Sequence, residues 1–95
     1  MNPVRKLEMQ CTHVEFLREL GLACGKRPYE IIGNRVFVHD DDKEVQIKIR
    51  DEPIRHLGSL DLPMEEITLK FIDYTEDEAD RFMDEFHRHV MRGGG

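Results

Sequence analysis

The residue types able to carry chemistry are few and scattered along this chain. Two cysteines and five histidines are its soft donors, and Ser59 is its only serine. Cys11-Thr12-His13 with the distant Cys24 comes nearest to a zinc set. Structural zinc needs paired short spacings, and a fourth ligand would have to come from His39 or His56. His87 and His89 look like a chelating pair, but helical neighbours at i and i+2 point about 200° apart. On a helix, His89 is expected to pair with Glu85, Arg88 with Asp84, and Glu85 with Arg81. Asp40-Asp41-Asp42 with Glu44 lacks the central glycine and alternating oxygens of a calcium loop. No metal ligand and no cofactor is therefore assigned. Ser59 has no Gly-x-Ser-x-Gly around it, and the nearby His56 has no third group to orient it. Nothing marks Cys11 or Cys24 as an activated thiolate, so a small thiol- or metal-dependent enzyme is only an alternative and no residue is assigned as catalytic.

These side chains must be positioned by a small acidic domain. The chain has 95 residues, with 14 Lys+Arg against 20 Asp+Glu and a formal net charge of −6. That length makes one domain, assigned to residues 1–92 with a flexible glycine tail at 93–95. It leaves little room for both a core and a deep cavity. The charge opposes long-range attraction to nucleic acid or an anionic membrane. No apolar run reaches the roughly 20 residues of a membrane span, and no signal-peptide core follows Met1, so a cytoplasmic location with reduced cysteines is expected.

Periodicity supplies the elements. Leu7, Met9 and Cys11 alternate with Lys6, Glu8 and Gln10 as a strand. Thr12 and Glu15 then form a capping box that opens a short helix, closed by Gly21 or Gly25. Tyr29 to Ile32, Arg35 to His39 and Glu44 to Arg50 read as a meander around a Gly33-Asn34 turn and the acidic tip. A last strand from Glu66 to Tyr74 runs into a helix opened by a second capping box, Thr75 with Glu78, with Ala79, Phe82, Met83, Phe86 and Val90 on one side. Acidic residues fill its first turn, while His87, Arg88, His89 and Arg92 fill its last. The fold expected is α+β: a mostly antiparallel sheet of about five strands in the order β-α-β-β-β-β-α, with two helices on one face. Residues 51–64, with Pro53, Gly58 and Pro63, read as a long loop carrying Ile54, Leu57, Leu60, Leu62 and Met64. It is expected either to cover a sheet edge, with one helical turn at Ile54–Leu57, or to contact a partner.

Three resemblances are weaker. A strand entering a C-terminal helix is similar to the end of pleckstrin-homology-like domains, which makes a partial barrel the alternative fold. Gly21 to Lys26 resembles a phosphate-binding loop, but three residues rather than four separate its glycines, and Arg27 stands where a hydroxyl is required. Gly93-Gly94-Gly95 resembles the tail of ubiquitin-like sulfur carriers, yet it follows a helix rather than a strand, and a frayed end is the better reading.

Alternation also defines an open sheet face. If the helices cover Val36, Val45, Ile67 and their in-phase neighbours, the other face carries Arg35, Phe37, Lys48, Arg50, Lys70, Ile72 and Tyr74. A one-residue slip in register would exchange the two faces. Phe37, Ile72 and Tyr74 call for a cover, and a protein partner or second copy of the chain is expected to supply it. Basic and aromatic groups on a sheet also suit single-stranded nucleic acid, the reading that the net charge disfavours. The sequence thus predicts a non-catalytic protein-binding or regulatory module acting through this face or through 51–64, on a protein partner or on a second copy of itself as a homodimer, with no membrane partner.

Overall fold

Local sequence and packing agree over most of the chain. The computed structural model describes residues 2–91. The strands are β1 (Val4–Met9), β2 (Tyr29–Ile32), β3 (Arg35–Asp40), β4 (Lys43–Leu57) and β5 (Leu60–Ile72), and the helices are α1 (His13–Cys24) and α2 (Glu76–Phe86). A π-helical turn over His87–Met91 extends α2. The side chains of Val90 and Met91, together with Arg92 and the glycine tail 93–95, lie outside what is described.

Both capping boxes form. Thr12 accepts from the Glu15 N–H while the Glu15 side chain accepts from Thr12 N–H, and Thr75 and Glu78 repeat the exchange. Gly25, at φ 63°, ends α1. Gly21 instead lies inside the helix, where an added Cβ would stand 2.9 Å from the Tyr29 hydroxyl.

The five strands form one antiparallel sheet in the order β1-β5-β4-β3-β2. The sheet is open, with β1 and β2 at its edges, so the partial-barrel alternative does not form. Val36, Val38, Val45, Ile47, Ile49, Ile67, Leu69 and Phe71 are buried on one face. Phe16 and Leu20 of α1 and Phe82 and Phe86 of α2 share that core. Phe16 meets Phe86 with ring centroids 6.0 Å apart, and Phe71 meets Phe82 at 5.4 Å. No helix among the described residues is long and apolar enough to cross a membrane.

Residues 51–64 are not a loop and contain no helical turn. They extend β4 and β5 as a two-stranded arm beyond β1 and β3, closed by a turn at Gly58-Ser59 with Gly58 at φ 64°. Their prolines obscured the strands. Between the pairs Glu52–Met64 and Arg55–Leu62, Pro53 and Ile54 oppose Pro63 alone. That bulge takes both prolines out of the regular ladder.

Candidate functional site

The open sheet face follows the expected register. Lys6 pairs with Thr68, Thr68 with Lys48 and Lys48 with Arg35, so three cations share one row across four strands. Phe37, Gln46 and Lys70 stand in the next row. Arg50 faces Glu66, and Glu66 faces Glu8. Arg35, Lys48, Arg50 and Lys70 are exposed, while Phe37 and Ile72 are half-buried. Among the described residues, no carboxylate forms an ion pair with Lys6, Arg35, Lys48, Arg50 or Lys70.

Tyr74 does not belong to that face, and its expected place there is corrected. β5 ends at Ile72, and Asp73 takes φ 64°, which breaks the alternation. Asp tolerates that conformation better than most residues. Tyr74 turns into the core at 5% exposure, against Phe71 and Phe82. Its hydroxyl donates to Asp40 Oδ2 at 3.0 Å, and burial followed by this carboxylate pushes its pKa upward. Arg27 reaches the same Asp40 at 3.4 Å and Glu85 at 3.3 Å, and lies over the Phe82 ring. Lys43 completes the clamp by pairing with Glu78. Glu85 thus pairs with Arg27 rather than with His89 or Arg81. Every polar member has a partner, so this is a tie between strands and helices and not an open site.

The arm carries one group of exposed apolar residues, while Val14 and Leu22 stand singly exposed on α1. Ile54, Leu57 and Leu60 are 56%, 57% and 61% exposed. Leu57 pairs directly with Leu60 across the turn, which sets both on one side of the ribbon. Beyond the last residues paired to β1 and β3, no strand among the described residues pairs with either outer edge of the arm. Tyr29, Ile31 and Ile32 form a second exposed apolar group, on edge strand β2.

A third feature lies at the root of the arm. His13, Asp51 and Glu65 each offer a ligand atom, and these atoms lie within 4.8 Å of one another. Asp51 and Glu65 face each other across β4 and β5, and His13 is the first residue of α1. Asp51 is exposed and His13 half-buried, whereas Glu65 is 3% exposed and its Oε2 has no hydrogen-bond partner. Burial first, and then the facing Asp51, push the Glu65 carboxyl up to about 7. Sequence spacing concealed this cluster, because its members come from three separate elements. The signal was present in the alternation: Val45, Ile47, Ile49 leads next to Asp51, and Phe71, Leu69, Ile67 leads back to Glu65.

The thiols and remaining histidines do not join the cluster. Cys11 and Cys24 are free, and burial pushes both upward, Cys11 to about 11. That direction is opposite to thiolate activation. His39 lies 3.8 Å from both Glu30 and Glu44, and His56 meets Asp61 on the arm at 2.6 Å. Comparison with protein families, with curated proteins and with solved structures finds no match to this chain.

Proposed function

We propose that this protein is a non-catalytic protein-binding module whose contact element is the β4–β5 arm, and that the occupant is a second copy of the chain. The observation carrying this reading is the exposed Leu57–Leu60 pair with Ile54, at a ribbon tip over which no described element lies. Two-stranded ribbons are marginal alone, and exposed apolar groups at such a tip favour association. Unpaired edges also invite another strand. Two arms meeting around a twofold axis would bury each other's leucines and pair their edges, without requiring a second kind of chain.

The test is light-scattering gel filtration of the wild type beside an Ile54→Ser/Leu57→Ser/Leu60→Ser variant. The reading expects a dimeric wild type and a folded monomeric variant. A wild type that stays monomeric at every concentration contradicts it.

The unpaired row of Lys6, Lys48 and Arg35 favours a second reading, single-stranded nucleic acid on the open face beside Phe37 and Ile72. The net charge of −6 opposes it. Under that reading a labelled oligonucleotide binds with strong salt dependence, and Lys48→Glu/Lys70→Glu abolishes binding. Salt-independent or absent binding removes it.

A further inference from the structure

Opposed or neighbouring carboxylates recur on this acidic molecule, and elsewhere a basic group joins them. Arg5 holds Glu76 at 2.6 Å and Asp80 at 3.1 Å. Arg27 holds Asp40 and Glu85, and His39 lies between Glu30 and Glu44. Arg55 pairs with Glu8 at 2.5 Å and attracts the adjacent Glu52. Asp51 and Glu65 differ. Among the described residues no Lys or Arg forms an ion pair with either of them. The buried member nevertheless keeps an oxygen, Oε2, without any partner. A buried polar atom in that condition is costly, more so when charged, unless something satisfies it. The side chain that completes the group is an imidazole, whose neutral form is a metal donor rather than a permanent cation.

We infer that His13, Asp51 and Glu65 form a binding site for a divalent transition-metal ion of the zinc type, at the point where the arm leaves the sheet. One nitrogen and two carboxylate oxygens suit such an ion, with bonds of about 2.0–2.2 Å and, in a tetrahedral set, donor atoms roughly 3.3–3.6 Å apart. Ligand atoms already within 4.8 Å need only side-chain adjustment, and the exposed Asp51 is free to make it. The bound ion supplies the positive charge that Arg5, Arg27 and Arg55 supply at three of the other carboxylate pairs. It also joins the first turn of α1 to both strands of the arm, so it stiffens the arm's root. Three protein donors leave at least one position for water.

The experiment uses the full untagged chain, freed of metal by a chelator and then titrated with Zn2+, with Mn2+ as a parallel probe. Bound metal is measured after equilibrium dialysis, and the thermal midpoint is followed in the same samples. The wild type is expected to retain one Zn2+ per chain and to melt at a higher temperature with the ion. Asp51→Asn, at an exposed position, and Glu65→Gln, of equal volume, should each weaken binding by at least the roughly tenfold that an outer-shell partner alone is worth. His56→Gln, which alters only the exposed His56–Asp61 pair, should leave binding unchanged. A wild type that retains neither ion overturns the inference. So does an ion lost from His56→Gln but kept by Asp51→Asn.

Discussion

The same two strands behave differently along their length. From Val45 to Ile49 and from Ile67 to Phe71, each strand buries every second residue under α1 and α2. From Asp51 to Met64 the strands remain paired to each other, but β1 and β3 have ended. Glu65 is the last residue of β5 paired to β1, and the bulge at Pro53-Ile54 follows within one further pair. Pairing alone therefore makes a ribbon, whereas covering makes a core. The compact end derives its stability from burial. The tip of the arm leaves Ile54, Leu57 and Leu60 exposed with no described element over them, and it is the part that the proposed contact would cover.

Substitutions sharpen this contrast, beginning with the largest effect. Phe71→Ala, in the fully buried face and against two aromatic rings, should lose about 3–5 kcal/mol in chemical denaturation. A much smaller loss would mean that the helices do not cover the sheet as described. Thr75→Ala removes the hydroxyl that accepts from Glu78 N–H and should cost about 1 kcal/mol by the same measurement, with Thr12→Ala similar at α1.

A pH series probes how the compact end is closed. Lys43, followed by the Thr75 backbone N–H, holds the Glu78 carboxyl at about 2, below its ordinary value of 4.5. Its contribution to stability is present above pH 4.5 and is lost as pH falls towards about 2, because the unfolded chain takes up the proton first. Glu78→Gln keeps the capping geometry without the charge. Across that window its thermal midpoint should fall less steeply with acidification than that of the wild type. Parallel curves would show that the Lys43 pair contributes nothing.

In the arm the expected effect on folding is smallest. Leu57→Ser and Leu60→Ser should each change stability of the isolated chain by within about 0.5 kcal/mol, because these residues are already exposed. A loss comparable to that of Phe71→Ala would mean that the arm belongs to the core, and the distinction between the two regions would fail.

Much of the compact end was legible because local signals and packing point the same way. The Thr12/Glu15 and Thr75/Glu78 boxes, the alternation of Val45, Ile47 and Ile49, and the helical spacing of Phe82, Met83 and Phe86 each carry their own evidence. The arm was not legible because Pro53 and Pro63 signal loop, and only the pairing register reveals that a bulge accommodates them together. Tyr74 departs from the alternation of β5 because the left-handed backbone of Asp73 resets the phase. For the candidate site, the exposed face around Lys48 and Lys70 followed from alternation. The His13, Asp51 and Glu65 cluster required tertiary structure, since a helix terminus and two strands meet there.

Hydrogen–deuterium exchange across a range of protein concentrations reads out whether the arm is the contact element. If it is, amides of residues 54–62 exchange quickly in dilute protein and become protected as concentration rises, while Val45–Ile49 and Ile67–Phe71 stay protected throughout. Arm amides that exchange equally fast at every concentration, or protection that arises at Tyr29–Ile32 instead, would contradict it.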